Sequence, residues 1–136
     1  MEQPIVTDTE FLSRKSRPAT KDDAQVITDL RDTLEAHKDT CVGLAANMIG
    51  SLTRIIIVAT ANGPLVMVNP VITKRRGIYT VDEACLSLDG THRATRFDII
   101  TVKWQDENFA YHTTQFSDYT AEIIEHEVDH LEGKLI

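Results

Sequence analysis

The sequence predicts an α+β fold in which short, mostly antiparallel strands lie between an N-terminal helix and a C-terminal metal-binding helix. Three observations carry that prediction. Apolar residues recur at helical spacing early in the chain, at Ile27, Leu30 and Leu34. From Arg54 to Phe116 the chain turns to short β-branched and aromatic runs divided by turn residues. Near the end, Ala121, Ile124, Val128 and Leu131 return to helical spacing around His126-Glu127-Val128-Asp129-His130. Strands bracketed by helices in this way favour antiparallel pairing.

The bulk numbers bound the function classes. With 136 residues the chain has the size of one ordinary domain. An apolar share of 42% with 26% charged residues is that of a soluble globular protein. No apolar run approaches the roughly 20 residues of a membrane span, and Met1 to Val6 lacks the basic and apolar regions of a signal peptide. A net charge of −7 argues against direct nucleic-acid binding, which needs a cationic surface. Two cysteines without a secretion signal read as free thiols or a metal ligand, so the chain is expected in the cytoplasm.

Taken in order, the first fifteen or so residues read as irregular. Thr20-Lys21-Asp22-Asp23 resembles a capping box, and a helix is predicted from about Lys21 to His37. Cys41 to Gly50 is crowded with small residues, as in a tightly packed loop or strand that another backbone or a ligand approaches closely. Arg54–Ala59 reads as a buried strand, Asn62-Gly63 as a turn, and Leu65–Asn69 as a strand stopped by Pro70. Val71–Thr73, Gly77–Val81 and Asp82–Leu88 are further β pieces, followed by an expected turn at Asp89-Gly90. Arg93–Arg96, Ile99–Trp104 and Ala110–Phe116 complete the strands. The last helix is expected from Ser117 or Asp118 to Gly133, a favoured residue just past a helix end.

That last helix carries the chemistry. Histidines four apart stand on one helical face, about 6 Å apart at Cβ, so His126 and His130 can converge on one metal ion. Glu127, one step round, is placed to take a proton from water without being a ligand. A hydrolytic site usually has three protein ligands and one open position. Ile136 stands where a downstream histidine is needed, and Glu132 points to another face, so the third ligand is expected upstream. The candidates are Cys41, Cys85, His92, His112 and several carboxylates. Cys85 completes a tetrahedral set with two imidazoles, but a free cysteine is also a small buried hydrophobe, and spacing alone does not choose.

Glu83-Ala84-Cys85-Leu86-Ser87 and His126-Glu127-Val128-Asp129-His130, preceded by Gly43-Leu44-Ala45-Ala46, resemble the three signature segments of peptide deformylases in order and spacing. The resemblance runs from about Lys21 to Ile136 and implies a single catalytic domain over residues 1–136. It implies that Cys85, His126 and His130 bind one divalent metal, commonly Fe2+, with Zn2+, Ni2+ or Co2+ as substitutes. It makes Glu127 the general base and acid, and the Leu86 backbone N–H an oxyanion donor. Glu83 pairs with an arginine in this family, here Arg96, with Asp129 as a supporting residue. Gly43, Val42, Met48 and Ile123 fall where substrate is bound. The implied reaction removes formyl from N-formylmethionyl peptides or nascent chains, and a monomer is the default expectation.

The chain departs from the family pattern at three positions. Cys41 replaces the first glycine of the first segment, Ala84 replaces a glycine in the second, and Met48 stands where the family has glutamine. That glutamine donates a side-chain N–H to the oxyanion, and a thioether has no donor to give. Asn47 has an amide, but it is one residue early and shorter. These departures keep open a catalytically weak or inactive paralogue that binds formyl-peptides, and more distantly a zinc protease.

Overall fold

The computed structural model describes residues 1–136. Its sheet has five strands in the order β1 to β5, every neighbour antiparallel: β1 (Gly43–Ala45), β2 (Ile55–Thr60), β3 (Gly63–Cys85), β4 (Leu88–Gln105) and β5 (Tyr111–Ser117). Three helices accompany it: α1 (Thr9–Leu12), α2 (Ala24–Ala36) and α3 (Asp118–Leu131). The predicted α+β class and its two principal helices are as observed.

Where the sequence predicts the helix to begin there is a capped 3₁₀ turn over Lys21–Asp23, and α2 itself starts at Ala24. Thr20 accepts from the Asp22 N–H, and the Asp23 carboxylate accepts from the Thr20 N–H at 2.8 Å, which closes the capping box. Ile27, Leu30 and Leu34 are buried, joined by Thr33. The segment before it is not wholly irregular. Asp8 caps α1 by accepting from Glu10 and Phe11, and α1 exists to bury Leu12, which is fully covered.

Two breaks predicted inside the sheet do not occur. Pro70 does not end its strand: Asn69 adopts a φ of 50°, the register shifts between Val68 and Val71, and the strand continues past the bulge. The Asn69 side chain fixes that kink by bonding both backbone groups of Ala19 and the Gln105 side chain. The chain also does not reverse at Asp89-Gly90. It reverses at Leu86-Ser87, because Cys85 pairs with Leu88, and Gly90 carries a φ of +73° inside β4. The five short pieces expected between Val71 and Trp104 are thus two long strands of one hairpin with Cys85 at its tip.

Alternation then decides what each face does. Ile100, Val102 and Trp104 of β4 alternate inward and are buried, whereas Ile55 to Val58 of β2 are buried on both faces of the sheet. Helix α3 lies on this inner face against β1, β2 and β4, inserting Ala121, Ile124, Val128 and Leu131 into the 23-residue core. It ends at Leu131 with Glu132 as its cap, and Gly133, at a φ of +80°, lies so close to the Ser13 carbonyl that no side chain would fit there. The N-terminal segment is therefore folded against the end of the metal-motif helix, with the Ser16 N–H donating to the Leu131 carbonyl.

Candidate metal centre and active site

Three ligand-type atoms meet between the hairpin tip and α3. His126 and His130 stand on one face of α3, with their Nε2 atoms 3.0 Å apart, and the Cys85 Sγ lies 3.3 Å from His130 Nε2. All three atoms lie within 4.8 Å of one another. For tetrahedral bonds of about 2.0–2.1 Å to nitrogen and 2.3 Å to sulfur, the edges should run about 3.3–3.6 Å. The donor set therefore fits one divalent ion with modest adjustment. Cys41, His92 and His112 are not part of it. The Cys41 thiol donates to the Gly43 carbonyl, His92 faces the Asp89 carbonyl, and His112 pairs with Asp106 while stacking on Trp104.

The two imidazoles are not equivalent. The Glu83 carboxylate lies 2.8 Å from His126 Nδ1, an arrangement that turns Nε2 toward the ligand cluster. Burial opposes a charge on His126, but Cys85 and Glu83 outweigh it and push the imidazole up to about 10. Burial and the neighbouring His126 push His130 down to about 3, so that ring stays neutral, the form in which imidazole binds a metal. Asn47, fully buried, donates its amide to the His130 carbonyl at 2.9 Å. Its side chain is thereby committed to α3 and does not replace the missing glutamine.

Behind the ligands runs a chain of charge. Arg96 holds Glu83 with two bonds of 2.8 and 3.0 Å, and its third nitrogen reaches Asp129 at 2.7 Å. Arg96 and Glu83 are both buried. Burial disfavours the Glu83 anion, yet His126 and Arg96 together hold its carboxyl down to about 2. Strand β3, strand β4 and helix α3 are thus joined through one carboxylate. Glu125, on the next helical position, caps the Phe97 N–H at 2.8 Å and braces the same helix on β4.

In front of the ligands lies a cavity of about 480 Å³. Val42, Gly43, Met48, Leu86 and Ile123 line it, as do Cys85, His126, Glu83 and Glu127. Glu127 is buried, one of its oxygens has no hydrogen-bond partner, and burial pushes its carboxyl up to about 7. Gly43 faces it across a gap that admits no side chain: a Cβ there would lie 3.0 Å from Glu127 Oε2 and 2.8 Å from Ile123 Cγ2. Met48 is buried, and its sulfur accepts from the Ala45 N–H at 3.4 Å. Leu86 occupies the hairpin turn, and no turn or loop hydrogen bond takes its N–H.

The cavity has a second wall that sequence reasoning passed over. Glu122 lines it one helical turn before His126, 3.5 Å from the Tyr79 hydroxyl, and Asp82 and Tyr119 stand beside it. Burial and the adjacent Glu83 raise the Glu122 carboxyl above its ordinary value. The signal was available, because Tyr119, Glu122, Ile123 and His126 share one helical face.

A ligand triad on a helix and a strand tip, with an unpartnered buried carboxyl facing an open cavity, defines the site of a metal-dependent hydrolase. A family model described as polypeptide deformylase matches residues 2–136. The peptide deformylase of Clostridium beijerinckii is 48% identical over 136 residues, 100% of both chains. Peptide deformylase 3 of Shewanella oneidensis is 36% identical over 93% of this chain and 80% of its own. The crystal structure of the Thermotoga maritima peptide deformylase superimposes with a TM-score of 0.89 at 27% identity, covering 99% of this chain and 95% of that one. The chain belongs to the peptide deformylase family.

Proposed function

We propose that this protein removes the formyl group from N-formylmethionyl peptides and nascent chains, with Cys85, His126 and His130 holding one divalent metal ion and Glu127 moving the protons. The observation that carries this reading is the buried Glu127 carboxyl, one oxygen unpartnered, on the cavity wall beside the convergent ligand atoms of Cys85, His126 and His130. When bound, the ion supplies Lewis acidity to the formyl oxygen and to a water. In this reading Fe2+ is the native ion, as is common in the family, and Zn2+, Ni2+ or Co2+ could take its place because one thiolate and two imidazoles suit all four.

The residues then divide the work. Glu127 takes a proton from the attacking water as its oxygen bonds to the formyl carbon, and a carboxyl poised near neutrality suits that exchange. The Leu86 N–H donates to the oxygen that gains charge. Glu127 returns the proton to the amine nitrogen as the carbon–nitrogen bond breaks, which leaves formate and a free N-terminus. Val42, Gly43, Met48 and Ile123 enclose the first side chain, while Glu83, Arg96 and Asp129 keep His126 aimed. In this reading the protein acts as a cytoplasmic monomer. No helix is long and apolar enough to cross a membrane.

Release of formate from formyl-Met-Ala-Ser by metal-loaded protein, with Glu127→Gln as control, tests the assignment. Turnover that survives Glu127→Gln refutes the base. One observation favours a second reading: Met48 turns its sulfur to the Ala45 N–H and offers the cavity no donor. A protein that binds formyl-Met-Ala-Ser without turnover would be the non-catalytic formyl-peptide binder that this feature permits.

A further inference from the structure

The cavity is two-sided. Val42, Met48, Leu86 and Ile123 give it an apolar wall, while Glu122, with the Tyr79 hydroxyl 3.5 Å from it, places a carboxyl on the other side. No lysine or arginine lines it. The other acids around it have their own assignments. Glu83 is held by Arg96 and His126, Asp82 faces Arg93 at 3.4 Å, and Glu127 faces the reacting atoms. Glu122 alone among them has neither a cation partner nor a task in the reaction: no ion pair includes it, and its contacts within the chain are the neighbouring Glu83 carboxyl and a 3.5 Å approach from the Tyr79 hydroxyl.

The position of Glu122 sets which part of a substrate it meets. It lies four residues before His126 on the same face of α3, next to Ile123. One helical turn is about 5.4 Å. Ile123, beside Glu122, is among the residues proposed above to enclose the first side chain, so Glu122 borders the same part of the cavity. A purely apolar side chain leaves Glu122 without a cation partner. A lysine or arginine side chain satisfies both walls, because its methylene stem covers apolar surface while its charged head reaches a polar group. The stem of lysine is similar in length to the methionine side chain, so the same opening serves both.

We propose that this site also deformylates peptides whose formylated first residue is lysine or arginine, with Glu122 as the residue that sets this selectivity. The proposal rests on the deformylase reading above and widens its substrate class to formyl amides with a cationic first side chain. The bonds made and broken are unchanged: water adds to the formyl carbon, the carbon–nitrogen bond breaks, and formate leaves.

The test compares three peptides, formyl-Met-Ala-Ser, formyl-norleucyl-Ala-Ser and formyl-Lys-Ala-Ser, with metal-loaded protein and with Glu122→Gln and Glu122→Leu. Norleucine has the lysine stem without the ammonium, so the lysine-to-norleucine ratio of kcat/KM isolates the charge. The native ratio is expected to exceed one, and either substitution is expected to lower it roughly tenfold, in line with a charged hydrogen bond. A merely structural role for Glu122 would lower both substrates together and leave the ratio unmoved, which overturns the proposal. Turnover of the methionyl and norleucyl peptides with none of the lysyl peptide also overturns it. Failure of all three peptides to release formate refutes the deformylase reading itself.

Discussion

Replacing Gly43 by alanine should cripple the proposed base while leaving the metal ligands alone. The added carbon would stand 2.8 Å from Ile123 Cγ2, 3.0 Å from Glu127 Oε2 and 3.3 Å from Glu127 Cγ. Comfortable contacts between heavy atoms lie at about 3.5–4.0 Å. The two side chains must therefore retreat by about 0.5–1 Å. They share one face of α3, so one retreat does not make room for the other. Overpacking of this kind costs about 1–3 kcal/mol of stability. A misplacement near 1 Å at a reacting group costs on the order of 100-fold in rate. The expected outcome is a folded Gly43→Ala protein with kcat on formyl-Met-Ala-Ser lowered about 100-fold. Its metal affinity should stay within a few-fold of the native value. Formate release, urea unfolding and a metal titration measure the three quantities. A folded variant whose kcat stays within threefold, roughly, of the native value would refute the reasoning, because the clash would not reach the reacting centre.

Four further outcomes follow from the same geometry. Met48→Gln should raise kcat, because one oxyanion donor is typically worth about 10²–10³ in turnover; an unchanged or lower kcat means that another group already serves. Arg96→Met should destabilise the protein by about 3–5 kcal/mol in chemical denaturation, since it strands the buried Glu83 and frees Asp129; a loss below roughly 1 kcal/mol would contradict the burial of this pair. Glu83→Gln should weaken metal binding by roughly 10–100-fold in a competition titration through the lost partner of His126. The Glu83 carboxyl is depressed from 4.5 to about 2, so its contribution to stability is complete above the unfolded value and disappears as pH falls through the folded one. The melting temperature of native protein should therefore fall between these two pH values more steeply than that of Glu83→Gln, and parallel curves would refute the assignment.

Much of this was legible in the sequence because periodicity speaks directly about faces. The α3 stripe and the His126/His130 spacing fix which side of the helix is buried and which side bears ligands. The capping box at Thr20 marked the 3₁₀ turn over Lys21–Asp23 that leads into the first long helix. What could not be read was the continuity of β3 and β4. Pro70 and Asp89-Gly90 carry local turn chemistry, and tertiary pairing overrode both: a bulge absorbed the proline, and the Cys85–Leu88 pair moved the reversal upstream. The pairing of Glu83 with Arg96 followed only from family likeness, since residues 13 apart reveal no contact by spacing. Glu122 was hidden for a different reason, because a partly exposed helical carboxylate is usually a solvated residue. Only its place on the cavity wall sets it apart.

The sheet runs as a meander, each strand beside its sequence neighbour, so every backbone ladder can close as a local hairpin. The seam between the hairpin tip and α3 is another matter, since Glu83 and His126 lie 43 residues apart. Closing it late carries a loop-entropy cost that the local pairings do not bear. An ion held, as proposed, by Cys85 together with His126 and His130 would act across this one seam as a cross-link. Its binding should therefore slow amide exchange most in α3 and at the β3–β4 tip, and least in the β2–β3 hairpin that forms without it.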